Sequence, residues 1–208
     1  MKFVLVNYNL FIKPIEMWIK KYTDDWLIYD RSDESGYINE KNIDQTKIIR
    51  TKNIGNADYD RLTYLIDNYD NLPEIFLLSK SNLFKYITRE EFNKIKDNTE
   101  FTPVLTQYHK VYEPICRYRS GIYEEINNSW YAPQFERRFK TYNDWADYMG
   151  LPKPDYLLFA PGGNYILTSK EVHKWPRKFY IKMRDTLEHA VLPAEAQYVE
   201  RSYYTLWS

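Results

Sequence analysis

Apolar residues fall in short runs separated by polar turns, and the spacing of those runs predicts alternating strands and helices. Lys2–Tyr8 (KFVLVNY) is a β-rich run ending in Asn-Tyr-Asn. Pro14 then opens the amphipathic stretch IEMWIKKY, where a proline in the first helical turn removes only an N–H that would be unpaired anyway. Trp26–Asp30 (WLIYD) and Lys47–Thr51 (KIIRT) are two more apolar runs, separated by a polar loop broken at Gly36. The segment NIGNADYDRL predicts a glycine turn into a helix, with Leu62, Leu65, Ile66 and Tyr69 at helical spacing. Asp58 and Asp60 near its start suit a helix N-terminus. Glu74–Leu78 (EIFLL) is continuous rather than alternating, as expected of a strand covered on both faces. The order β, α, β, β, α, β from Lys2 to Leu78 predicts an α/β domain with a largely parallel sheet.

Further along, Thr88-Arg-Glu-Glu91 forms a capping box ahead of a helix. Thr141 caps YNDWADYMG, which Gly150, Pro152 and Pro154 end. Residues 100–140 hold short β-like pieces with many Tyr and Arg residues. Tyr156–Ala160 (YLLFA) and NYILTS read as a fifth and a sixth strand around Pro161-Gly162-Gly163. Ser169 starts a helix that Pro176 should break, and PAEAQYVERSYYTLW reads as a last helix. No repeat or linker stands out, so 1–208 is expected to be one domain, with a last helix running to Trp207 as in a piece cut from a longer chain.

Composition narrows the possibilities. The chain has 208 residues, 44% hydrophobic, which rules out intrinsic disorder. Lys+Arg and Asp+Glu are 29 each, so no general field exists to hold duplex nucleic acid, although a local basic pocket is compatible with that balance. Cys116 is the single cysteine, which excludes an internal disulfide and a Cys-rich zinc site; either the setting is reducing or disulfides are simply not used. No apolar run approaches the roughly 20 residues of a membrane span, and the opening lacks a signal-peptide cleavage pattern. P-loop, dinucleotide-binding and nucleophile-elbow motifs are missing. His109, His173 and His189 lie too far apart to show zinc spacing.

The polar ends of the apolar strands carry the candidate chemistry, because open α/β sheets bind ligands beyond the carboxyl ends of their strands. Those ends read Asn7-Tyr8-Asn9, Asp30-Arg31, Asn53-Ile54-Gly55, Ser79-Lys80-Ser81 and Pro161-Gly162-Gly163. Tyr8 can stack on a base, Asn or Asp can bond a uracil edge, and Arg61 or Lys80 can meet a diphosphate. Each end taken alone is an ordinary turn, and the two glycines also fit a tight turn with positive φ. Glu195 and Glu200 can serve as base or orienter, or simply as a solvated helix face.

Two stretches, NIGNADYDRLTYLIDNYDNLPEIFLL and FAPGGNYILTSKEVHKWPRKFYIKM with YVERSYYTLW, resemble the small GT-A-type glycosyltransferases. The size and the Asn-Tyr-Asn opening are also similar to the glycosyltransferase domains encoded by chlorella viruses, which implies a role in capsid glycan synthesis in the cytoplasm of a host cell. The resemblance implies a GT-A-like fold with a central, mostly parallel mixed sheet of about six strands flanked by helices. It also implies a UDP-hexose donor such as UDP-glucose, a glycan hydroxyl acceptor, and Mn²⁺ or Mg²⁺ at the diphosphate. By position it puts Asn7, Tyr8, Asn9 and Asp30 at the nucleoside, and Gly55, Asp58, Arg61 and Lys80 at the ribose-diphosphate. Gly162 and Gly163, with Pro161, fall at the sugar, and Glu200 with Arg201 near the reacting centre. Ser79 and Ser81 mark the metal position, where the family carries the acids of a D-x-D motif. Four explanations remain open: weakened metal binding, an acid from elsewhere, a substitution of Asp at Ser79, or Lys80 standing in for the metal charge. The alternative function is a catalytically impaired nucleotide-sugar or carbohydrate-binding module.

Overall fold

The structure is a computed structural model that describes residues 1–33, 43–106, 116–119, 122–125, 135–158 and 160–208. The predicted loop at Gly36, His109 and the Phe159 position of the fifth predicted strand lie outside the described residues.

The chain runs β1 (Lys2–Asn7), α1 (Ile12–Ile19), β2 (Trp26–Asp30), β3 (Ile48–Arg50), α2 (Asn56–Asp67) and β4 (Ile75–Lys80). Next come α3 (Arg89–Ile95), β5 (Thr102–Pro103), β6 (Cys116–Arg119), β7 (Ile122–Glu125) and α4 (Tyr142–Met149). The chain ends with β8 (Tyr156–Leu157), β9 (Tyr165–Thr168), α5 (Ser169–Val172), α6 (Arg177–Asp185) and α7 (Ala194–Trp207). The main sheet has six strands in the order β3-β2-β1-β4-β9-β5. The first four are mutually parallel, whereas β9 runs antiparallel to β4 and β5 antiparallel to β9. The expected α/β architecture with a mostly parallel mixed sheet is therefore what the chain forms.

Continuous apolar strands follow from two buried faces. Side chains alternate across a strand, so Phe3 and Leu5 of β1 join one core with Trp18, Ile19 and Phe92 from α1 and α3. Val4 and Val6 join the other core, with Leu62 and Leu65 of α2, Tyr180 of α6 and Tyr203 of α7. β4 divides in the same way, Leu77 to the first core and Phe76 and Leu78 to the second.

Local signals act where they stand. Thr88 and Thr141 each close a capping box, with Glu91 and Asp144. Pro176 is the N-cap of α6 and separates it from α5, the predicted break. The fifth predicted strand is the main departure. Tyr156–Leu157 pairs with β6 in a separate three-stranded sheet, β7-β6-β8. The outer place in the main sheet goes instead to Thr102–Pro103. A proline has no N–H to donate to a further strand, so an edge position suits it. Among the described residues, no helix is long and apolar enough to cross a membrane.

Candidate functional site

Parallel pairing brings the carboxyl ends of β1, β2 and β4 level, with Asn7 opposite Asp30 and Val6 opposite Lys80. A cleft of about 340 Å³ opens above them. Its polar lining comes from Tyr8, Arg31, Asn53, Asn56, Lys80, Ser81, Asn82 and Tyr86. Leu10, Val191 and Leu192 form a partly exposed apolar rim. The rim loop before α7 is fastened to the start of α2, since Gly55 N–H donates to the Ala190 carbonyl at 2.8 Å and Asn56 N–H to Val191 at 3.0 Å.

Asp33 organises one wall. Its carboxylate accepts from the Tyr8 hydroxyl (2.9 Å), Asn9 Nδ2 (3.0 Å) and Asn53 Nδ2 (3.0 Å), while its own N–H donates to Asn9 Oδ1 (3.0 Å). Those hydrogen bonds hold the Asp33 carboxyl below the usual range. Tyr8, half exposed, is thereby held at the edge of the cleft by its hydroxyl. Asn9 and Asn56 both adopt positive φ (53° and 56°), a conformation that asparagine tolerates better than most residues.

Two cations line the cleft. Arg31 touches the cleft from a buried position, 3% exposed, and is held in place, with Nε and Nη2 donating to Asn53 Oδ1 (3.2 and 3.0 Å) and Nη2 also to the Ile54 carbonyl (2.7 Å). Lys80 Nζ lies 4.0 Å from Glu200 Oε1 and 5.9 Å from the centre of the Tyr86 ring.

Several residues predicted for the site lie behind the cleft. Asn7 is buried and donates to Asp30 Oδ1 (2.8 Å) and the Leu10 carbonyl (2.9 Å). Asp30 also accepts from the Ser32 hydroxyl (2.7 Å) and pairs with Arg50, so its carboxylate is used within the loop scaffold. Asp58, set in the first turn of α2, does not cap the helix. It pairs with Arg61 at 2.8 Å and accepts from the Tyr203 hydroxyl at 2.9 Å. Arg61 is fully buried and its Nη2 donates to the Gly162 carbonyl at 2.5 Å.

The two glycines after Pro161 both have positive φ (88° and 61°). A Cβ at Gly162 would meet the Tyr86 ring at 2.7 Å, and one at Gly163 would meet Arg61 Nη1 at 2.5 Å. The close approach that these glycines permit is to the protein's own Tyr86 and Arg61. Gly55 is likewise buried, and a Cβ there would lie 2.8 Å from that of Tyr59.

Glu200 stands between Lys80 and the Asp58–Arg61 pair. Burial raises its carboxyl above the usual range and the Asp58 charge adds to that, against the pull of Lys80, Arg61 and Arg201. Arg201 is buried on α7 and donates from Nη1 to the Gln197 carbonyl at 3.2 Å. Glu195 is not at the cleft. Its Oε1 accepts from the N–H groups of Arg138 (2.6 Å) and Phe139 (2.9 Å).

The metal position does not fit a hard divalent cation. Ser79 Oγ donates to Asn164 Oδ1 at 3.0 Å and Ser81 Oγ to the Val6 carbonyl at 3.1 Å, and both residues are buried. Such ions prefer carboxylate oxygens. Among the described residues, no group of three or more His, Cys, Asp or Glu side chains is arranged to hold one.

The lining residues Asn56, Tyr86, Val191 and Leu192, together with Asp33 and Asp60, were not singled out as ligand-site candidates in the sequence. Asn56 had one usable signal, its place after Gly55 at a helix start. Tyr86 and Val191-Leu192 had none, because only the fold brings them to the strand ends.

Fold and cleft together define an α/β protein with a cleft at the carboxyl ends of its parallel strands. The chain belongs to the family described as "Protein of unknown function (DUF3431)", whose model matches residues 16–208. No curated protein and no solved structure matches it significantly.

Proposed function

We propose that the chain binds a nucleoside-diphosphate sugar in this cleft and transfers its hexose to an acceptor hydroxyl. The observation that supports this most is the meeting of Lys80 and Arg31 with Tyr8 and Tyr86 in one cleft above three parallel strand ends. Tyr8 offers an aromatic face for a base such as uracil. Lys80, with Glu200 behind it, offers a mobile cation for the diphosphate and for the charge that grows on it as the sugar leaves. In this reading Lys80 supplies the charge that a divalent cation supplies in the glycosyltransferases the sequence resembles, so Mn²⁺ is not required for nucleotide binding. We place the reaction in the cytoplasm, a setting with which the single cysteine, Cys116, is compatible.

Calorimetry with UDP, GDP and CMP, each with and without Mn²⁺, tests the reading. UDP should bind best, and Lys80→Ala should weaken it by about tenfold or more, the loss of one charge-assisted contact. Equal binding of all three nucleotides, or none, would sink it. The committed hydroxyls of Ser79 and Ser81 favour one alternative, a binding module without turnover. UDP-glucose that binds and is never hydrolysed or transferred, with Mn²⁺ or without, would identify that module.

A further inference from the structure

We propose that an anion entering the cleft beside Arg31 is bound together with a proton that lodges on Asp60. This rests on the reading of the cleft as an anion site and adds how that site is regulated.

Asp60 lies on α2 behind Arg31 and is fully buried. No donor meets hydrogen-bond geometry at either carboxylate oxygen, and the Thr51 hydroxyl is an uncharged group near enough to favour the carboxylate. The nearest cationic atom is Arg31 Nη1, 3.7 Å from Asp60 Oδ2 and itself without a hydrogen-bond partner. Arg31 is not free to close that gap, because Asn53 and Ile54 hold its other nitrogens.

The remaining groups facing Asp60 do little to compensate its charge. Arg61, on the same helix, favours the carboxylate but is committed to Asp58, and Asp30 at the end of β2 opposes it. The phenols of Tyr29 on β2 and Tyr59 on α2 are neutral neighbours. The Thr51 hydroxyl after β3 favours the carboxylate, but burial outweighs it. Burial consequently pushes the Asp60 carboxyl up to about 6, although Arg31 pulls the other way.

Arg31 faces both this carboxylate and the cleft. A ligand anion at Arg31 adds a further negative charge beside a cation that already faces Asp60, Asp58 and Asp33. Like charges raise a carboxyl further, so the bound complex has its lowest free energy with Asp60 neutral. By reciprocity, a proton on Asp60 must then tighten anion binding. A rise of about one unit on binding would take up roughly 0.4 proton at pH 7 and make binding about sevenfold tighter at pH 5.5 than at pH 8.

The experiment is calorimetry on the native chain and on Asp60→Asn, in two buffers of different ionisation enthalpy. UDP has protons of its own to exchange, so the measured quantity is the difference between the two proteins, expected near 0.4 proton at pH 7. Sulfate has none to gain in this range. Its affinity for the native chain should fall as pH rises from 5.5 to 8, and should change little for Asp60→Asn. Should that variant not fold, the sulfate series is run on Glu200→Gln, which removes the other raised carboxyl beside the cleft: a pH dependence that persists there belongs to Asp60, and one that vanishes overturns its role. UDP binding with equal proton uptake in both proteins, or a flat sulfate series, overturns the role of Asp60 and leaves the nucleotide reading standing. Proton-linked sulfate binding with no preference for UDP over GDP and CMP keeps Asp60 and removes the nucleotide. Failure of every anion to bind overturns both.

Discussion

At the scale of single residues, Asp58, Asp60, Arg31 and Arg61 are all buried, and they differ in how their charges are compensated. Asp60 has stability consequences apart from any ligand. Its folded carboxyl is raised to about 6 from an ordinary 3.8. A raised group favours the folded state only while it is protonated. Its contribution is therefore complete below about pH 3.8 and is lost as pH rises through 6, costing about 3 kcal/mol at most. Asp60→Asn should match the native melting temperature near pH 4 and exceed it at pH 8. A native chain that is the more stable of the two at pH 8 would show that Arg31 needs the carboxylate charge.

Arg61 is the contrasting case, paired with Asp58 and bonded to the Gly162 carbonyl at full burial. Removing one partner of such a pair strands the other. The space it occupies also forbids a side chain at Gly163, where φ is 61°. Gly163→Ala adds a left-handed backbone penalty to a 2.5 Å clash with the guanidinium. It should cost about 2–4 kcal/mol in denaturant unfolding; a loss under 1 kcal/mol would mean the turn and Arg61 shift freely.

At the scale of elements, the helix caps were legible because they are local. Thr88 with Glu91 and Thr141 with Asp144 meet within one turn, whatever the rest of the chain does. The strand run Trp26–Asp30 needed only its own residues to be recognised. The run at Tyr156 read as a full strand of the main sheet, yet its partner β6 lies among the short β-like pieces of residues 100–140, whose partners the local pattern does not specify. Strand pairing is decided between segments, not within one. The last helix shows what packing adds. Trp207 is fully buried, stacked on Tyr203 at 4.5 Å, edge-on to Tyr165 at 5.5 Å, with Nε1–H donating to the Tyr180 hydroxyl at 3.3 Å. Trp207→Ala should cost about 3–5 kcal/mol and expose α7 amides to hydrogen exchange before those of β1 and β4. Uniform loss of protection across all three would show that α7 does not open separately.

At the scale of the whole molecule, a chain with 29 positive and 29 negative side chains brings two cations to one cleft without any net field. A ligand that binds only the folded cleft must stabilise the fold. UDP at a hundredfold excess over its Kd is expected to add about 2.7 kcal/mol, a melting shift of roughly 5–10 °C. No shift at that excess would exclude a site confined to the native state. The sequence by itself determined the α/β class, the alternation of strands and helices, the caps and the polar strand ends, since propensity, period and capping act over a few residues. Only the tertiary structure decided which of those ends face the cleft. Tyr8, Arg31, Asn53 and Lys80 reach the cleft, while Asn7, Asp30, Asp58 and Arg61 are spent holding its walls. The physical reason is that a polar side chain at a strand end has the same local sequence whether its partner is a ligand or another part of the chain. Its partner is fixed by segments as distant as Gly162, Val191 and Tyr203, and those meet the strand ends only on folding.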